Sequence, residues 1–283
     1  MKLKHNKKEI NTIAFIRVLP ANMMKKIVII IIVLNSFLSY SQNNHLTIGY
    51  RQNGICFGNS KNNNGLRLNL WDNNCDTLNG INFSLKSSAK NINGFSLGIV
   101  ASDNSICNGL NLTGLIANNE VGNGISIAGI SSYSYQMNGI TIGGIATGGG
   151  NINGLGIGGL IIAGDTLNGV FISAIISYIN TERIKLINGL SIGIIGTGTE
   201  KLNGLSIGFA SGIDTLKGVS IGFVHNYAKE TKGVQIGMIN ETNDLFGFQI
   251  GLWNIVKNKR FLKRMPLINF DFRNRKKTKK ISR

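Results

Sequence analysis

Apolar and polar residues alternate along this chain in short bursts, and the bursts recur at a fixed spacing. In Asn188-Gly189-Leu190-Ser191-Ile192-Gly193-Ile194, the residues Leu190, Ile192 and Ile194 share one parity, and Ser191 and Gly193 the other. The same order sets Ile125/Ile127, Ile140/Ile142, Leu155/Ile157, Val219/Ile221 and Val234/Ile236 on an apolar side, with Ser126, Thr141, Gly156, Ser220 and Gln235 opposite. Period-two alternation bounded by turn-forming residues predicts half-buried β-strands.

Each burst opens on a glycine: Gly54, Gly65, Gly80, Gly94, Gly109, Gly124, Gly139, Gly154, Gly169, Gly189, Gly204, Gly218, Gly233 and Gly247. From Gly65 onward the step is 14 or 15 residues, apart from 20 between Gly169 and Gly189. So short a period implies one strand-sized unit stacked on or paired with copies of itself. The glycine persists where the asparagine before it gives way to Lys217, Lys232 and Phe246. A type I′ hairpin needs positive φ at both central residues, which Lys and Phe resist. One glycine-only position at a bend or bulge is therefore expected. A second small position recurs at Gly114, Gly129, Gly144 and Gly159, with Ala174 next in series, and suggests close backbone approach.

These features predict an all-β chain of tandem repeats folded as a β-solenoid. Each repeat would be one coil, with Leu and Ile filling the interior and Ser, Thr and Gln outside. The fourteen repeats would make a rod on the order of 65 Å long at the strand spacing. The alternative is a closed antiparallel outer-membrane β-barrel of one strand per repeat, its Leu and Ile facing lipid. His45–Tyr50 and Ile268–Phe272 would then flank the repeats as further strands. Identical register in every repeat, the lack of long loops and an aromatic content of 7% favour the solenoid.

Charge separates the ends from the middle. The formal charge is +17, yet residues 1–26 hold seven Lys and Arg against Glu9, and residues 257–283 hold twelve against Asp271. Eleven of each sign remain in the repeats, so the body is neutral and lacks the basic stripe of a nucleic-acid surface. Met23-Met24-Lys25-Lys26, the apolar run Ile27–Leu38 and small residues Ser39 and Ser41 have the layout of a secretory signal peptide. The expected organisation is an over-called upstream start at 1–22, a signal peptide at 23–41 and a repeat domain at 42–256. A closing strand follows at 257–272 and a basic disordered tail at 273–283, where attraction to anionic lipid would be salt-sensitive.

Val234-Gln235-Ile236-Gly237-Met238-Ile239-Asn240 and Phe248-Gln249-Ile250-Gly251-Leu252-Trp253-Asn254, followed by Pro266-Leu267-Ile268-Asn269-Phe270, resemble a family of bacterial surface-repeat proteins. That family carries tandem G-(L/V)-Q-I-G-(L/M)-x-N units and a similar closing strand. The resemblance implies the cell envelope or outer surface, and brings no activity or catalytic residue with it. This chain uses Ser or Thr where the family favours Gln, and has no cysteine at the cut for a lipid anchor.

Catalytic patterns are sparse. Asp-Thr-Leu-(Asn/Lys)-Gly occurs at Asp76, Asp165 and Asp214, which is read as an Asx-turn rather than a calcium ladder or an acid/base pair. Gly148-Gly149-Gly150 lacks the Gly-Lys-Ser/Thr ending of a phosphate loop. Cys107 occupies the apolar slot that Leu78, Ile92, Met137 and Leu167 fill elsewhere, and reads as a small buried hydrophobe. Pairing of Cys56 with Cys75 is left open. His225 is expected in a turn. The excursion Tyr178–Ile187 breaks the period, and its Thr181, Glu182 and Arg183 are the candidate contact loop. The expectation is an exported, non-catalytic protein of the envelope, outer membrane, surface or periplasm, acting as scaffold or adhesive surface without a cofactor. A barrel pore and a carbohydrate-acting enzyme are the alternatives. Expected partners are envelope polysaccharide, anionic lipid or a surface protein, and no nucleic acid; membrane insertion belongs only to the barrel.

Overall fold

The computed structural model describes residues 45–73, 75–176 and 184–273. The signal segment, residues 1–22, the tail beyond Arg273 and the loop Thr181–Arg183 lie outside the described residues. The described chain is all strand and turn: β1 His45–Tyr50, β2 Asn53–Gly58, β3 Asn62–Leu68, β4 Cys75–Thr113, β5 Ile116–Ala128, β6 Ser131–Gly143, β7 Ala146–Gly158, β8 Ile161–Ile176, β9 Ile184–Ile236, β10 Ile239–Val256 and β11 Arg264–Asp271.

The strands form a β-solenoid. From β2 to β10 neighbouring coils pair in parallel, glycine on glycine: Gly54 with Gly65, Gly65 with Gly80, Gly109 with Gly124, Gly169 with Gly189 and Gly233 with Gly247. A strand such as β9, 53 residues long, runs through several coils without a break in its ladder. Only the ends are antiparallel, β1 on β2 and β11 on β10. The strand order runs from β1 to β11, and those two do not pair. Parallel stacking with open ends excludes the antiparallel barrel.

The expected glycine-only position is real. Gly139 has φ 133°, and a Cβ there would lie 2.1 Å from the Gly124 carbonyl oxygen. An L-residue is strained at that φ and would collide with the coil beneath. The second column, Gly114 to Gly159, stands at a corner where a Cβ on Gly129 would meet the Gly114 oxygen at 2.1 Å. Beside the first column the asparagines form a ladder from Asn53 to Asn203. Each amide donates to the previous coil, as Asn138 Nδ2 does to Asn123 Oδ1 at 2.9 Å.

The facing of the strands is the opposite of the expected one. Ser126, Thr141, Ser191, Ser206, Ser220 and Gln235 are buried, and Ile125, Val170, Phe248 and Ile250 are exposed. The reason is volume. One coil, Leu110 to Gly124, buries Asn111, Thr113, Ala117, Asn119 and Gly122, mostly small side chains. The slot preceding Asn-Gly carries the bulk: Leu78, Ile92, Met137, Ile152, Leu167, Ile187 and Leu202 are buried there and form the apolar core. No space remains in so thin an interior for two more Leu or Ile per coil, so Leu110 and Leu112 point outward. Several of the buried polar groups bond across it: Ser126 to Ser132 at 3.0 Å, Thr141 to Ser132 at 3.0 Å, and Asn111 to Ser102 at 2.9 Å.

Each end of the rod is plugged by charge. At the amino-terminal end the buried Arg67 pairs with Asp72 at 2.8 Å and donates to Asn59 Oδ1 at 3.0 Å. At the other end the buried Lys259 ammonium donates to Asn269 Oδ1 at 2.6 Å and the Phe270 carbonyl at 2.8 Å. Buried charges with several partners close an open stack without exposing an apolar coil end.

Candidate functional site

The outward apolar rows are the most distinctive surface of the molecule. The residue after each repeat glycine and the residue two further on are apolar in every repeat, from Ile55 and Phe57 to Phe248 and Ile250. Parallel register places them in two continuous rows, with Leu110 beside Ile125 beside Ile140, and Leu112 beside Ile127 beside Ile142. Both end strands extend the rows: Ile48 pairs with Ile55, Leu46 with Phe57, Phe270 with Phe248, and Ile268 with Ile250. A third row follows at the corner, where Leu115, Ile130, Ile145, Leu160 and Ile175 are exposed. The phenylalanines meet at one end, with Phe248 and Phe272 edge-on at 5.1 Å between centroids.

About fifteen strand spacings of roughly 4.8 Å make this face on the order of 70 Å long, and the three rows give it an area on the order of 1,000 Å². The largest apolar patch of an ordinary monomer is about 300–600 Å². One long rim is the uncharged asparagine ladder.

The expected chemistry is placed differently. Asp76, Asp165 and Asp214 lie within strands β4, β8 and β9 and not in turns. Each carboxylate meets a lysine of the next coil: Lys90 at 2.8 Å, Lys185 at 3.7 Å and Lys229 at 2.8 Å. The hydrogen-bonded Lys90 holds the Asp76 carboxyl below its ordinary range. The Asx-turn expectation fails because that position lies midway along a wall of the coil, where the backbone is already paired in the parallel ladder. His225 is likewise in β9, paired with Ile239, with its Nε2 3.8 Å from Glu241. Of the excursion, Ile184–Ile187 has rejoined the stack in β9, where Ile187 pairs with Leu167.

All three cysteines are buried free thiols. Burial pushes the Cys107 thiol up to about 11, and burial does the same to Cys75, offset in part by Arg67. A thiol held protonated and enclosed is a packing residue and a poor nucleophile. Among the described residues no group of three or more His, Cys, Asp and Glu is arranged to hold a metal ion. In comparisons with known families, curated proteins and solved structures, no match to this chain was found.

What the sequence reading missed is the outward apolar face itself. The signal was present: the two outward rows that follow the repeat glycine never admit a charge, whereas the inward column accepts Arg67, Asn82, Phe171 and Gln249.

Proposed function

We propose that the chain is an exported, non-catalytic scaffold of the bacterial cell envelope, assembled by pairing the apolar faces of two copies. The observation that carries this reading is the unbroken apolar face on a rigid, regularly hydrogen-bonded rod. A stable protein interface buries about 800 Å² on each partner, which this face can supply from one side. Two such sheets can pack about 10 Å apart with their rows interdigitated. The rim argues for a protein partner over lipid, because a face lying on anionic lipid is ordinarily bordered by Lys and Arg. Here that border is amide from Asn53 to Asn203, with Lys217 and Lys232 only beyond it. The signal-like segment at 23–41 and the resemblance to surface-repeat proteins support the envelope address.

The test is sedimentation of the exported chain in detergent-free buffer over a range of concentrations, alongside fractionation of the expressing cells. A dimer in the envelope fraction is expected. Ile127→Lys with Ile142→Lys, on the outer rows, should give folded monomers. A native chain that stays monomeric and associates with vesicles instead would overturn the pairing; a cytoplasmic chain would overturn the address.

A further inference from the structure

On the second side of the coils, away from the apolar rows, lies an open depression of about 790 Å³. It is built by two outward rows crossing the stack. One runs Asp103, Asn118, Tyr133, Gly148, each residue paired with the next in parallel register. The other carries Lys90, Glu120 and Tyr135, which line the same depression. The tyrosines stand two residues apart on one strand, so both rings are on the outer face.

Gly148 and Gly150, part of the triple glycine that made no phosphate loop, shape this place. A Cβ on Gly148 would lie 3.5 Å from the Tyr133 ring, and one on Gly150 3.1 Å from the Tyr135 ring. Each ring therefore leans over a coil that has no side chain to lift it. The rings stay largely exposed, Tyr133 at 43% and Tyr135 at 58%. Beside them are carboxylates, an amide and a lysine, with Lys90 engaged by Asp76 at 2.8 Å.

Adjacent flat aromatic faces and side-chain acceptors suit a ligand with apolar C–H faces and equatorial hydroxyls. A pyranose presents both. The backbone of these coils is already paired with its neighbours in the stack, so a peptide cannot add as a further strand. Asp103 and Glu120 outweigh Lys90, so an acidic polymer is repelled. The depression also has the size of an ordinary ligand site.

We propose that this depression binds a neutral oligosaccharide, with sugar rings lying over Tyr133 and Tyr135 and hydroxyls bonded by Asp103, Asn118 and Glu120. The site is independent of what covers the apolar face, because it lies on a different side of the coil.

The experiment is calorimetric titration of the full exported chain with cellohexaose, hexa-N-acetylchitohexaose and hexagalacturonate. At least one neutral hexamer should bind and the acidic one should not. Replacing both tyrosines by alanine should weaken binding by about tenfold or more, while the double phenylalanine variant keeps most of it. Both positions are on the surface, and circular dichroism confirms that the variants keep the strand signal. Gly150→Val, whose Cβ would meet the Tyr135 carbonyl oxygen at 2.9 Å and its ring at 3.1 Å, should also weaken binding. No heat with either neutral hexamer would overturn the proposal. So would undiminished binding by the alanine variant, or preference for the acidic hexamer.

Discussion

The two sides of a coil treat the same alternation differently. On the first side, after the repeat glycine, Leu and Ile point out and Ser, Thr or Gln point in. On the second side Asn118, Glu120, Tyr133 and Tyr135 point out, while Ala117 and Ile162 point in. The second side is mixed within, where Ser102, Asn104, Asn119, Ser132 and Ser134 are buried beside the apolar groups and Asn104 Nδ2 donates to Asn119 Oδ1 at 3.3 Å, and its outer face carries polar and aromatic side chains. The first side is inverted: polar groups such as Ser126, Thr141 and Ser220 bond across a narrow interior, and its apolar rows lie outside. Apolar burial is therefore concentrated at the slot before Asn-Gly, and the first side keeps its Leu and Ile outside.

The sharpest way to break this comparison is the glycine that joins the two sides. Gly139→Val should cost about 3 kcal/mol or more in urea unfolding, from the positive φ and the lost ladder contact together. The next test sets the slot before Asn-Gly against the outward rows. Ile152→Ala, wholly buried, should lose about 2–5 kcal/mol. Ile142→Ala, on the outer face, should lose less than about 1 kcal/mol in the monomer and show its effect in dimer dissociation. Equal losses at both positions would contradict the inversion.

Smaller effects sharpen the picture. Asn138→Ala removes a donor to Asn123 and an acceptor for Asn153, and about 1 kcal/mol should be lost. The Cys107 thiol titrates at about 11 when folded, against 9.0 for an unburied one. Below pH 9 its contribution to stability is complete; as pH rises toward 11 the unfolded chain ionises first, and that contribution is lost. Cys107→Ala should flatten the stability profile in that window. The smallest change is expected at the exposed ion pair, where Lys185→Ala should shift stability by at most about 0.5 kcal/mol and still less in high salt.

The strands, their register and the coil were legible because Gly109, Gly124 and Gly139 recur at one spacing and stack directly on one another. Cys107 was legible from the company it keeps at its position. The asparagine ladder was visible as a recurrence, but its bonds exist only once equal residues lie one strand apart. The facing of Asp214 toward Lys229 was hidden for the same reason: the two are 15 residues apart in sequence and neighbours only in the stack.

By itself the sequence determined where the chain must bend, which residues alternate, and that each unit repeats the one before. These are local consequences of glycine geometry and side-chain parity. Parity has no sign, however: a strand reading Leu-Ser-Ile is equally regular with either set inside. Tertiary structure decided that question through the volume enclosed by one coil, which the small inward residues and a single Leu or Ile already fill. The same closure placed the outward Leu and Ile in a continuous apolar face and leaned two tyrosines over glycines on the other side.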